Sequence, residues 1–270
     1  MRIRVRVPRR VALAVGALTL LGVTTAPGVA MATDGGSSSA STSPKPTIVL
    51  VHGAWADSSS WSSVLERLRK DGYPVRAIAN PLQGLTSDTA YVSSYLSTIK
   101  GPMVLVGHSY GGAVITNSAA SDPDVRALVY IAGFIPAKGE TVGDLAKRSP
   151  DLPLVQTDVP GGQEVSINPD RFREVFAGDV DKTTAADLAA VQRPANIKAV
   201  VEASAQEAFR SIPSWDLITR QDHAIAPDAQ RFMAKRAGAH TEEVNASHAV
   251  MISHPATVTH IIEEAARITR

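Results

Sequence analysis

The sequence predicts an α/β protein: a mainly parallel sheet of about six strands flanked by helices, with a helical cap over one end. Three observations predict it. Short β-branched or apolar runs at 47–52, 73–77, 103–106, 125–132, 215–219 and 241–244 alternate with amphipathic stretches, the pattern of βαβ units and a parallel sheet. The run Met103 to Val106 is apolar throughout, as expected of a strand covered on both faces. The alternation breaks once, between 137 and 213, where Pro150, Pro153, Pro160, Pro169 and Pro194 punctuate short helical stretches; that is too long for a simple crossover.

Residues 1–32 read as an export signal. Met1 to Arg10 carries five arginines and no acid, Val11 to Val23 is almost wholly apolar, and Ala30-Met31-Ala32 offers a small-x-small cleavage site. The apolar core is short for a membrane span. Arg9-Arg10 faintly suggests a twin-arginine route without settling it. Removing this segment leaves 22 basic against 26 acidic side chains, a net charge of −4 instead of the formal +1. Nothing in the remainder forms a basic patch for nucleic acid, and no stable membrane association is expected after cleavage. The chain has no cysteine, which excludes disulfides, thiolate metal sites and a cysteine nucleophile. Residues 33–46, rich in Ser, Thr, Gly and Pro, read as a flexible leader to one domain at 47–270.

Within that domain, Thr47 to His52 is the expected first strand. Ser60 to Asp71 spaces Trp61, Val64, Leu65 and Leu68 as a one-sided helix. Tyr73 to Ala77 follows as a strand and Ser87 to Ile99 as a helix, with Ser87 a plausible cap. After the strand at 103 and a helix at 113–120 come the strand Val125 to Ala132 and the interrupting segment, with helices expected at 171–177, 184–191 and 197–209 and no convincing strand. Trp215 to Thr219 resumes the sheet. A helix at 227–236, a strand at 241–244 and a helix from Pro255 to Ile268 complete it, proline being suited to a first turn.

The chemistry centres on Gly107-His108-Ser109-Tyr110-Gly111, which fits G-x-S-x-G between a strand and a small-residue helix. That context makes the pattern a nucleophile elbow, with Ser109 raised above the sheet edge. A serine hydroxyl needs a base, usually a histidine held by a carboxylate. Of seven histidines, only His248 follows the last strand, in the order serine, acid, histidine. His108 lies inside the turn, and His223, His240, His254 and His260 lie on or beside helices and loops. For the acid, Asp222 follows the strand at 215–219. Its rivals are Asp216, preceding or opening that strand, Asp228 at a helix start, and Glu140. The oxyanion donors expected are the backbone amides of Tyr110 and Ala54. His52 is taken as structural. Trp55, Trp61, Tyr110 and Phe134 are either pocket lining or core; Trp55 and Phe134 are the substrate-binding candidates.

His52-Gly53-Ala54-Trp55, Gly107-His108-Ser109-Tyr110-Gly111-Gly112, Phe134-Ile135-Pro136 and Ser247-His248-Ala249-Val250-Met251 together resemble the α/β-hydrolase superfamily. They look most like the branch of salicylate-type methylesterases, hydroxynitrile lyases and pyrethroid-type esterases. The resemblance spans about 46–270 and is weakest through the cap at about 137–213. It implies a Ser109–Asp222–His248 triad, an oxyanion hole at Ala54 and Tyr110, no metal and no cofactor. Lyases of this branch carry a threonine where this chain has Gly53 and a lysine where it has Ala249, so the resemblance favours ester hydrolysis. The expectation is a secreted carboxylesterase acting on a small-molecule ester. Other chemistry on the same triad (carbon–carbon cleavage, amide hydrolysis, perhydrolysis) and a non-hydrolytic binding protein are the alternatives. The sequence fixes neither the ester nor the oligomeric state.

Overall fold

The computed structural model describes residues 44–268. The expected export signal lies outside them, and so does the expected leader except for Pro44 to Pro46. The chain runs through β1 (Thr47–Val51), α1 (Ser62–Lys70), β2 (Val75–Ile78), α2 (Leu85–Leu96), β3 (Met103–His108), α3 (Tyr110–Ser118) and β4 (Val125–Ile131). An insert follows, with α4 (Val142–Ala146), β5 (Leu154–Val159), β6 (Gly162–Ile167), α5 (Pro169–Phe176), α6 (Lys182–Val191), β7 (Ala195–Asn196) and α7 (Lys198–Val201). The chain then closes with β8 (Ser214–Thr219), α8 (Pro227–Ala237), β9 (His240–Val244), α9 (Val250–Ser253) and α10 (Pro255–Ile268).

Six strands form one parallel sheet in the order β2-β1-β3-β4-β8-β9. Every residue of β3 is buried, and its side chains alternate between two cores. Met103 and Leu105 pack with Leu85, Val114 and Met233 of α2, α3 and α8, whereas Val104 and Val106 pack with Val64, Leu68, Ile261 and Ile262 of α1 and α10. This two-sided cover is why the strand is apolar at every position up to Gly107. The strand order reverses between β1 and β3, and in such sheets the crevice at the carboxyl ends beside the reversal is where ligands bind. Among the described residues, no helix is long and apolar enough to cross a membrane.

The insert differs from its sequence reading. It carries helices, but also a three-stranded antiparallel sheet, β5-β6-β7, where no convincing strand was expected. β5 and β6 form a hairpin with Val159 opposite Gly162. Pro160 and Gly161 make its two-residue turn, Gly161 at φ 106°. Proline first and a positive-φ glycine second is turn chemistry, so the residues read as interruptions join two strands. The helix expected over 197–209 is instead the short α7 and a 3-10 turn at Ala208–Arg210. Farther back, α2 starts at Leu85 instead of Ser87. Gly84, at φ 143°, supplies the break, and the Ser87 hydroxyl bonds back to the Gly84 carbonyl at 3.1 Å from within the first turn.

Candidate active site

Ser109 stands between β3 and α3 at φ 53°, ψ −125°, a conformation a non-glycine residue adopts only under constraint. The constraint is visible. Its amide donates to the Ile131 carbonyl at 3.2 Å, and its carbonyl accepts from Gly112 at 2.9 Å and Phe134 at 3.0 Å. The flanking glycines permit the turn: a Cβ on Gly107 would stand 2.5 Å from the Gly111 carbonyl oxygen, and one on Gly111 would strike the Val51 carbonyl.

Asp222 and His248 meet 2.7 Å apart, Oδ2 to Nδ1, both fully buried at their side chains. Asp222 is held as an acceptor from all sides. Oδ1 takes the amides of Ala224 and Ile225, each at 2.8 Å, and Oδ2 takes Thr219 Oγ1 at 2.8 Å and Gln230 Nε2 at 3.0 Å. With an acceptor facing Nδ1, the imidazole proton belongs on Nδ1 and the lone pair on Nε2. That Nε2 is buried and has no hydrogen-bond partner among the described residues. His108, the residue before Ser109, links the two halves. Its Nε2 donates to the His248 carbonyl at 2.9 Å, and the two rings lie 4.6 Å apart. Burial, and next the neighbouring His248, hold His108 well below the usual histidine pKa. It stays neutral and serves as a brace.

The rival acids lie elsewhere. Asp216 is mid-strand in β8, fully buried with neither carboxyl oxygen bonded among the described residues. Asp228 pairs with Arg231 at 2.8 Å and Glu140 with Arg236 at 2.6 Å. The other histidines also stand apart: His223 touches the Glu174 carbonyl at 3.1 Å, and His240 stacks on Trp215.

Ala54 and Tyr110 bring two amides to the elbow. Tyr110 opens α3, so its N–H has no carbonyl one turn behind it, and neither amide donates a backbone hydrogen bond among the described residues. Gly53 allows the close approach, since a Cβ there would lie 2.7 Å from Ser109 Cβ and 3.0 Å from Tyr110 N. His52 sets the loop. The Asn80 amide donates to its Nε2 at 3.0 Å, which leaves the proton on Nδ1, 2.9 Å from the Gly53 carbonyl. In a trans peptide the carbonyl and the next N–H point opposite ways, so drawing the Gly53 oxygen toward His52 turns the Ala54 N–H away from it. Burial lowers the His52 pKa to about 4, consistent with a neutral ring in this bond.

A cavity of about 390 Å³ opens onto Ser109. Trp55, Phe134, Val142, Leu152, Val200 and Ile225 line it, and Lys147 and Asp151 are the charged residues on its wall. Of Ser109, Asp222 and His248, Ser109 alone borders it among the described residues. Tyr110 and Trp61 do not: the Tyr110 hydroxyl donates to buried Asp88 at 2.8 Å, and Trp61 packs edge-on toward His108. Trp55 is tied to the insert, its amide to the Arg193 carbonyl and its indole N–H to the Val165 carbonyl, both at 3.0 Å.

Sequence reasoning missed Gln230. Fully buried on α8, it donates to Asp222, to Thr219 Oγ1 and, at 2.7 Å, to the Ile225 carbonyl, while its own oxygen accepts the Thr219 amide at 3.0 Å. A polar residue flanked by the buried Ala229, Met233 and Ala234 was the available signal. Away from the cavity, Glu242, His260 and Glu264 bring ligating atoms within 4.8 Å of one another. Arg267 lies 3.8 Å from Glu264, and none of these residues borders Ser109.

A family model for the alpha/beta hydrolase family matches residues 48–260. The chain belongs to that family. It is 33% identical over 107 residues to a carbendazim-hydrolysing esterase of Nocardioides sp. (strain SG-4G), an alignment covering 35% of this chain and 44% of that protein. It is 32% identical over 155 residues to a pyrethroid hydrolase of Sphingobium wenxiniae, covering 49% of this chain and 55% of that one. The chain therefore spans about half the length of these two relatives. The crystal structure of polyneuridine aldehyde esterase superposes with a TM-score of 0.71 at 17% identity, over 82% of this chain and 98% of that one, a likeness of fold.

Proposed function

We propose that this protein is an exported serine carboxylesterase for small, uncharged esters with an apolar acyl or alcohol part. The observation that carries the reading is His248. Its Nδ1 is committed to Asp222 at 2.7 Å, while its Nε2 is buried without a partner among the described residues, and its ring lies 4.6 Å from that of His108, the residue before Ser109. Such an imidazole is set to take one proton, and the serine hydroxyl is the group that must lose one.

In the proposed mechanism the Ser109 hydroxyl passes its proton to His248 Nε2 as Oγ attacks the ester carbonyl. Asp222 stabilises the imidazolium that forms. The carbonyl oxygen gains its charge facing the amides of Ala54 and Tyr110, and collapse expels the alcohol, which takes the proton back from His248. Water, deprotonated by the same nitrogen, then releases the acid from Ser109. No step calls on a metal or cofactor. The apolar wall of Trp55, Phe134, Val142 and Val200 favours neutral substrates; Lys147, the one cation on the wall, is paired with Asp144 at 2.9 Å, so a carboxylate substrate would compete for it.

Ser109→Ala tests the reading. It should lower turnover of p-nitrophenyl butyrate by several orders of magnitude, with thermal melting unchanged. Hydrolysis at the parent rate would overturn it. For the export step, the expected result is protein in the culture medium whose first residue lies just after Ala32. A mature chain still carrying Met1 would refute it.

A further inference from the structure

We propose that Asp179, in the loop between α5 and α6, is a positioning residue for His248. The inference rests on the serine-hydrolase reading and adds to it a tie from the insert to the general base.

The insert grips the chain on both sides of His248. On one side, the Ala249 amide donates to the Phe176 carbonyl at 2.8 Å. On the other, the Ser247 hydroxyl donates to Asp179 Oδ1 and lies 3.3 Å from the same Phe176 carbonyl. The Phe176 ring meets the His248 imidazole edge-on, centroids 4.9 Å apart at 74°. Asp179 is itself fixed: His254 Nδ1 lies 3.4 Å from its Oδ2, and Arg173 bonds the Gly178 carbonyl at 3.1 Å and the Val180 carbonyl at 3.3 Å on either side of it.

Asp222 controls the tautomer and the plane of the imidazole, but it bonds only the ring. The backbone beneath that ring follows β9 in a loop with no regular structure until Val250. The ties that hold it include the Gln221 amide on the Ala246 carbonyl at 3.0 Å, His108 on the His248 carbonyl, Phe176 on Ala249, and Asp179 on Ser247. The Asp179 anchor is a charged acceptor on a hydroxyl, a stronger class of bond than a neutral pair. Without it the loop keeps its fold but loses the tie next to the base, and an error of about 1 Å in a catalytic group can cost about a hundredfold in rate.

The test uses the full-length enzyme and four variants, Asp179→Ala, Asp179→Asn, Ser247→Ala and the double Asp179→Ala/Ser247→Ala, with melting temperatures recorded for each. Asp179→Ala should lower kcat for p-nitrophenyl butyrate by about tenfold to a hundredfold and leave KM within about twofold, because the cavity wall is untouched. Asp179→Asn retains an acceptor for the Ser247 hydroxyl and should recover most of the loss. Ser247→Ala should match Asp179→Ala, and the double variant should fall no further than either single one. The rate of labelling by a fluorophosphonate should follow kcat. Labelling of Asp179→Ala at the parent rate, additive losses in the double variant, or equal changes in kcat and KM would overturn the positioning role while leaving the hydrolase reading standing. A parent enzyme that takes no label would overturn both.

Discussion

Replacing Asp216 with leucine should make the protein more stable without reducing its activity. The side chain shares a sheet face with Tyr130, its partner across β4 and β8. It is fully buried, and neither carboxyl oxygen finds a partner among the described residues. A buried polar atom left unbonded costs about 1–3 kcal/mol, and leucine has the same branching at Cγ with no polar atom. A gain of about 2 kcal/mol would raise the melting temperature by roughly 4–8 °C for a domain of this size. Burial pushes the folded-state pKa of Asp216 well above its ordinary value. Below about pH 4 the carboxyl is protonated folded and unfolded alike, and the group contributes no pH dependence. As pH rises from there, the unfolded chain releases the proton that the folded one retains. Stability then falls, by up to about 1.4 kcal/mol per pH unit, until the folded pKa is reached. The leucine variant escapes this loss, so its advantage should be about 2 kcal/mol at pH 4, where the neutral carboxyl is already buried unbonded, and should widen as the pH is raised from there. Differential scanning calorimetry across that range, with esterase assays on the same samples, measures both. An advantage that is constant with pH, or a variant that melts earlier, refutes the argument. A variant with turnover reduced as far as in Asp222→Asn, for which a triad precedent suggests about 10⁴-fold, would reassign the acid.

Two further perturbations follow from the site. Gln230→Ala removes the amide that donates to Asp222 and leaves the Thr219 N–H and Ile225 carbonyl unpaired; it should cost roughly 3 kcal/mol of stability and about tenfold in kcat, read by urea unfolding and turnover. Ala146→Trp, on the cavity wall, should leave p-nitrophenyl acetate hydrolysis within about twofold and reduce kcat/KM for the octanoate at least about tenfold, as measured by a chain-length series; equal effects on both esters would place the acyl chain elsewhere.

The sheet was legible because helices cover both its faces: strands such as Met103 to Val106 had to be apolar at every position, and that signal survives without coordinates. The elbow was legible for a related reason, since Gly107 and Gly111 stand where a side chain would strike backbone. The hairpin of β5 and β6 was not. β5 is exposed along almost its whole length, so burial writes no alternation into it, and its turn residues looked like punctuation. Asp222 and Asp216 differ by six positions and are distinguished by where β8 ends, which is Thr219, the residue that closes the apolar run read from the sequence. Gln230 resembled a stray polar residue on a helix. Asp179 and Ser247 are separated by 68 positions, and nothing local to either one announces the other.

His52 lies off the cavity wall, yet it limits acid tolerance. Accepting a proton would cost it the bond from Asn80 and oppose its burial, so it resists charging down to about pH 4, whereas an unfolded histidine charges near 6.5. Stability from this residue is therefore complete above about pH 6.5 and drains away as acidity increases through that interval, by about 3 kcal/mol in all. Widening the working range of the enzyme toward vinegar-like conditions would thus be a matter of re-engineering its scaffolding, with the chemistry left alone.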